Sequence, residues 1–178
     1  MSIKFGEVCQ IGYIVRDIEA AMQKWIALGV GPWYYRETNP ISEFNYYGKP
    51  SAFPDMSIAL ANSGQVQIEL IQQRNDAPSL YLDMIQSGQE GIQHIAYWTA
   101  DRFDEFKGEL LRLGFQEGHS GRMGKGGRFG YFIDPSMPGT IIELSETTGG
   151  KMDRFNLVRE ASRNWNGEDP IRKMTITA

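Results

Sequence analysis

Four polar side chains interrupt apolar strand patterns: Gln10 in QIGYIV, Glu69 in VQIELIQ, His94 in GIQHIAYW and Glu143 in TIIELSE. Period-two alternation puts Gln10 on a face with Val8, Gly12 and Ile14, and His94 with Ile92, Ala96 and Trp98. Glu69 shares its face with Gln67 and Ile71, and Glu143 with Ile141 and Ser145. A carboxylate among such neighbours needs a cation, a hydrogen-bonding partner or water, because isolated buried charge is costly. One divalent metal satisfies both glutamates and gives the imidazole a purpose. Neutral His is the commonest nitrogen ligand, and Gln offers a carbonyl oxygen. Taken singly, each residue has a plainer reading: His as a hydrogen-bonded structural residue, Glu as an edge residue facing water. Taken as a repeated quartet they favour the metal. Gln10 is its weakest member and can instead hydrogen-bond a metal-held water.

The elements that must position these residues form a repeat. EVCQIGYIV reads as a strand and DIEAAMQKWIALG as an amphipathic helix with Asp17 as N-cap and Gly29 as stop. WYYRET, MSIALANS and QVQIELIQQ follow as strands, the last two joined by a hairpin at Asn62, Ser63 and Gly64. The order then recurs. GIQHIAYWTA is a strand, DRFDEFKGELLRLG a helix that again starts with Asp and ends with Gly, and FQEGHSG, RFGYFID and GTIIELSE are three more strands. His94 follows Gln10 by 84 positions and Glu143 follows Glu69 by 74, so the first unit carries extra residues, placed in the loop over 39–55. The expected organisation is a βαβββ module over 6–73, a connector with a short helix over 74–91, a second βαβββ module over 92–147 and a helical extension over 148–178. The helix of that extension is expected to begin near Asp153 and to pack on the outside or on a second subunit.

Composition excludes several functions. With 178 residues and 41% hydrophobic content the chain can bury a substantial core. Its net charge of -4 and the lack of a clustered run of Lys or Arg argue against nucleic acid as a partner. The beginning, MSIKFGEVCQ, has no apolar signal core, and no stretch approaches the ~20 apolar residues of a membrane span. A lone cysteine, Cys9, suits a reducing compartment and reads as a small strand hydrophobe. A cytoplasmic protein without membrane contact is therefore expected.

The paired βαβββ units, together with QIGYIVRDIEAAMQKW, QHIAYWTAD, QIEL and IIEL, resemble the vicinal oxygen chelate superfamily over about residues 6–147. That superfamily includes glyoxalase I, methylmalonyl-CoA epimerase, extradiol dioxygenases and the bleomycin and fosfomycin resistance proteins. The resemblance implies an α+β fold in which two modules curl into an open, incomplete eight-stranded barrel around one divalent metal (Zn, Ni, Co, Mn or Fe). It implies that Gln10, Glu69, His94 and Glu143 are the ligands. It also implies a metal-dependent isomerase, epimerase or lyase that forms an enolate or enediolate from a small oxygenated carbonyl or acyl-thioester substrate, with Glu143 as the first candidate base and Glu69 as the alternative or the opposing acid. Glutathione is disfavoured as part of the substrate, because no convincing basic residues for it are identifiable. A homodimer is the common assembly in the superfamily. A non-catalytic protein sequestering a hydrophobic or aromatic ligand is the alternative, and an iron-dependent oxygenase the second, disfavoured because Gln10 stands where the iron triad has His.

Substrate contacts are expected from the aromatic stretch Trp33, Tyr34, Tyr35, Phe44, Tyr46, Tyr47 and Phe53, although the same residues also suit a core. Trp98 and Arg128 join the substrate candidates, and Arg122 and Lys125 in the hairpin loop GRMGKGG can meet an anion beside Arg128. That loop lacks the spacing of a phosphate loop. His119 reads as surface or substrate-facing.

Overall fold

The computed structural model describes residues 2–124, 126–137 and 139–174. Its strands are β1 (Gln10–Ile14), β2 (Trp33–Arg36), β3 (Ile41–Tyr46), β4 (Lys49–Pro50), β5 (Met56–Ser63), β6 (Val66–Gln73), β7 (Gly91–Thr99), β8 (Gln116–Met123), β9 (Arg128–Ile133), β10 (Ile141–Glu146) and β11 (Ile171–Lys173). The helices are α1 (Ile18–Ala27), α2 (Leu80–Gln86), α3 (Phe103–Arg112) and α4 (Lys151–Arg163). All strands lie in one open sheet of order β11-β2-β5-β6-β1-β7-β10-β9-β8-β3-β4. The eight expected strands are its centre, β2-β5-β6-β1 from the first module and β7-β10-β9-β8 from the second, joined antiparallel through β1 and β7.

Two local signals deserve their physical reasons. Asp17 caps α1 by accepting from the Ala20 N–H at 2.8 Å, and Gly29 leaves the helix at φ +81°, a conformation that favours glycine. At α3 the N-cap position is Arg102, and no side chain caps the helix. The hydroxyl of Thr99, the last residue of β7, accepts from the Arg102 N–H at 2.8 Å and the Asp101 N–H at 3.3 Å, which ties the strand to the helix entry.

Alternation then sorts the sheet into two faces. Ile68, Leu70, Trp33 and Ala59 pack under α1 with Ile18 and Met22, while Ile142, Leu144 and Phe132 pack under α3 with Phe103, Phe106 and Leu110. Each such large side chain, nearly or fully removed from water, stabilises the fold by about 1.5–3 kcal/mol before entropy is counted. The opposite face carries Ile14, Met56, Ile71, Phe129 and Tyr131, and it is the face on which Glu69 and Glu143 fall.

Three strands lie outside the repeat. The 39–55 excursion is not only a loop: β3 and β4 form a hairpin, and β3 crosses to pair antiparallel with β8 of the other module, Phe44 opposite Gly121 and Tyr46 opposite His119. The C-terminal extension also differs from expectation. Phe155 and Val158 of α4 pack on Leu60 of β5, and β11 pairs parallel with β2, which brings the extension over the polar face of the sheet. No helix among the described residues is long and apolar enough to cross a membrane.

Candidate metal centre and its cavity

Registers across β6, β1, β7 and β10 explain how the polar residues meet. One row reads Glu69, Gly12, His94, Ile141, and the next reads Gln67, Gln10, Ala96, Glu143. The second row is the first with its direction reversed, so the repeat acts as an approximate two-fold that exchanges Glu69 with Glu143 and His94 with Gln10. The exchange is incomplete where the chemistry is. Gly12 has no side chain, and the His94 ring occupies that space: a Cβ there would lie 1.8 Å from His94 Cε1. Ala96, its counterpart, carries a methyl group.

His94 is thereby laid against both carboxylates. Its Nε2 is 3.2 Å from Glu143 Oε2 and 3.5 Å from Glu69 Oε2, and one ligand atom from each of the three residues lies within 4.8 Å of the others. All three are nearly removed from water, with exposures of 1% for His94, 4% for Glu143 and 9% for Glu69. The opposite ring nitrogen, Nδ1, is 3.1 Å from Gln93 Oε1, and Gln93 is itself tied by its amide nitrogen to the Leu80 carbonyl at 2.8 Å. An Nδ1–H donated to that oxygen leaves Nε2 facing the carboxylates. Tyr131 adds a hydroxyl that donates to Glu143 Oε2 at 3.2 Å. Gln10 lies in the row of Glu143, two strands across from it. Its amide nitrogen donates to Gln67 Oε1 at 2.9 Å, and it makes no hydrogen bond to Glu69, His94 or Glu143.

The charges respond to this crowding. Burial would lower the His94 imidazole, but hydrogen bonds to Glu143 and Glu69 outweigh it and raise its pKa to about 9. Burial pushes Glu69 up against the pull of His94. Glu143 is held below the usual carboxylate range: burial opposes this, but His94, the Lys151 charge and Ser145 together prevail. Two buried carboxylates and one imidazole thus require a shared cation, either a proton or a metal. Two oxygens and one nitrogen on one face are a donor set that suits a divalent first-row metal with positions left for other ligands. The group could hold such an ion.

Above it lies a cavity of about 340 Å³, within the range of small-molecule sites. Glu69, Glu143, Tyr81 and Tyr131 line its floor, and Met56, Ile58, Leu60, Phe129 and Phe155 its walls. Gly124 and Gly126 of the glycine-rich hairpin loop stand at its edge, while Lys125 lies outside the described residues.

The substrate contacts expected from sequence are elsewhere. Trp33 is fully buried beneath α1, and Tyr35 shares that face, its hydroxyl on Glu19. Strand phase decides this: the residues of β2 that face the cavity side are Tyr34 and Arg36. Tyr46 is spent on Asp83, Tyr47 is exposed in a turn at φ +46°, and Trp98 stacks behind the cavity-lining Phe155 at 4.3 Å. Arg128 is engaged by Glu146 and Asp104 and lies over the Phe103 ring, and Arg122 is paired with Glu43. His119 is neither surface nor substrate-facing. It is fully buried among Phe44, Tyr81, Phe129 and Tyr131, and its Nδ1 accepts the Leu80 N–H at 3.2 Å. Gly12, Gln93 and Tyr131 were missed by sequence reasoning. Only Gly12 left a trace, as the smallest residue on the face it shares with Gln10.

The family model of the Glyoxalase/Bleomycin resistance protein/Dioxygenase superfamily matches residues 9–132, and the chain belongs to that superfamily. Its members include enzymes, among them epimerases, and generally bind a divalent metal. Solved structures share the fold. A hypothetical protein from Bacillus halodurans C-125 is 19% identical with a TM-score of 0.57, over 80% of this chain and 95% of that one. The methylmalonyl-CoA epimerase from Mycobacterium tuberculosis is 16% identical with a TM-score of 0.56, over 86% of this chain and 96% of that one. A search of curated proteins finds no match.

Proposed function

We propose that the chain is a divalent-metal-dependent isomerase, epimerase or lyase that moves a proton beside the carbonyl of a small oxygenated carbonyl compound or acyl thioester. The observation that carries this reading is the convergence of Glu69, His94 and Glu143, with both glutamates on the floor of a cavity whose walls are largely apolar. A divalent ion held by these three residues supplies Lewis-acid stabilisation of charge that develops on a substrate oxygen. Glu143 is anchored by His94 and the Tyr131 hydroxyl and stays anionic. Glu69 opens on the cavity, has only the longer contact to His94, and is shifted toward proton uptake. Environments that push two carboxylates apart suggest separate roles, so Glu69 is assigned as proton acceptor and Glu143 as the fixed anion. This reverses the preference drawn from sequence.

Hydrogen exchange tests the assignment. Metal-loaded protein in deuterated water is expected to exchange the hydrogen next to the carbonyl of a 2-oxo acid or acyl thioester, read by mass spectrometry. Glu69→Gln should slow that exchange about 10²–10⁴-fold. Full exchange in the variant removes Glu69 as the base.

A non-catalytic, sequestering protein is the second reading, favoured by the apolar walls. It ranks lower because an apolar ligand gives no reason to bury two carboxylates around an imidazole. An iron-dependent oxygenase ranks third, since His94 is the one imidazole at this centre and His119 turns to the Leu80 backbone. The proposal includes a homodimer in a reducing cytoplasm, supported by the habit of the superfamily and the single cysteine.

A further inference from the structure

The carboxylates are not the only charges at the cavity. Arg36, Lys151 and Arg154 also line it, and none has a carboxylate within salt-bridge distance among the described residues. Arg36 is the most under-partnered. Its Nε is buried without a hydrogen bond, and Nη2 reaches only the Met174 thioether at 3.4 Å. Burial and the like charge of Arg154 both lower its pKa, so the two guanidinium groups stand close enough to repel. Lys151 donates to the Ser145 hydroxyl.

The placement of the other two is also locally unfavourable. Lys151 and Arg154 occupy the first turn of α4, the positive end of the helix, where cations are normally avoided. Most of the other arginines have a carboxylate partner, among them Arg74, Arg102, Arg112, Arg122, Arg128 and Arg163, while Arg16 and Arg172 rest on backbone carbonyls. Lys151 already faces the charge of Glu143 and Glu69, so it is the two guanidinium groups on this part-buried wall that imply a ligand bringing the missing anion.

We propose that the ligand of this cavity is a carboxylic acid with an apolar body. Arg36 and Arg154 hold its carboxylate, with Lys151 beside them, while the body lies along Met56, Ile58, Phe129 and Phe155. The inference deepens the function proposed above, on which it rests for one point: the oxygenated carbon at the far end faces Glu69, His94 and Glu143. Lys151, Arg154 and Met174 all come after residue 132, where the superfamily model ends, so most of this anion pole is built by the C-terminal extension. The extension thereby acts as the specificity element.

The test uses purified full-length protein, with chelator present so that the metal centre takes no part. Calorimetric titrations compare 4-phenylbutyrate, its neutral amide 4-phenylbutanamide and 3-phenylpropyl phosphate. The acid is expected to bind at least about tenfold more tightly than the amide. Arg36→Met and Arg154→Met should each erode that preference, and the double variant should abolish it. Arg36→Lys should keep part of it, and Arg163→Met, on the exposed part of the same helix, should leave it unchanged. Equal affinity for acid and amide, absence of binding by both, or an undiminished preference in the folded double variant overturns the proposal. Tighter binding of the phosphate overturns the choice of carboxylate. A preference for the acid in a protein that performs no metal-dependent exchange leaves the anion pole standing and removes only the catalytic reading.

Discussion

His94 illustrates how one side chain can be claimed by two cations. Between Glu143 and Glu69 its Nε2 takes up a proton with a pKa near 9, so an incoming metal must displace that proton at neutral pH. Metal affinity is therefore expected to rise about tenfold per pH unit between pH 6 and 8, and a competition titration across that range checks the slope. Gln93 fixes the ring from behind, and Gln93→Leu should weaken metal binding about 10–100-fold at constant pH. An affinity independent of pH would place the metal away from His94. His119 behaves oppositely, because burial and then the nearby His94 charge hold its pKa down at about 3 against the weaker pull of Glu143. The unfolded chain binds a proton at His119 once the pH drops below about 6.5, while the folded protein does not. Stability from this group is therefore complete above that pH and is lost as pH falls toward 3. Between pH 6.5 and 5 the loss is about 1.6 kcal/mol, and His94, already protonated in both states toward the end of that range, adds little slope. Urea unfolding at the two pH values should show the loss in the wild type and a shallower dependence in His119→Leu. Neither environment was legible in sequence. His94 was found because its position repeats, and His119 was misplaced because nothing local announces the ring of aromatic residues that encloses it.

The elements were legible where a local pattern suffices. Alternation identified β1, β6, β7 and β10, the Asp17 cap located α1, and the repeat paired Glu69 with Glu143 before any register was known. Pairing over long distance was not. β3 looked like loop because its partner, β8, is about 80 residues away and belongs to the other module. Gly12 is the point where element geometry controls the metal centre, since its missing Cβ is the space for the His94 ring. Gly12→Ala should thus mimic His94→Ala in metal affinity, although Gly12 supplies no ligand atom, while circular dichroism and the unfolding midpoint show the sheet intact. An unaltered metal affinity in Gly12→Ala would mean that the ring does not need this space.

At the scale of the whole molecule, a duplicated half-sheet has been made unequal in three places. His94 replaces Gln10, Gly12 replaces Ala96, and the C-terminal extension lies over the cavity side of the sheet. The duplication sets two carboxylates at the junction of the halves, and the inequalities give that junction one imidazole, room for it and a cationic wall. Only the first of these could be seen in sequence. Arg36, Lys151 and Arg154 are scattered over more than a hundred residues, and the curvature of the sheet and the path of α4 bring them to one cavity. The claim on which the rest depends is that Glu69, His94 and Glu143 hold one divalent ion. Elemental analysis by mass spectrometry of protein purified without chelator, beside His94→Ala and Glu143→Gln, tests it most directly. The expected result is near one Mn, Fe, Co, Ni or Zn per chain in the wild type, with the ion lost from both variants. Equal metal content in all three proteins, or none in the wild type even after divalent ions are supplied, contradicts the account.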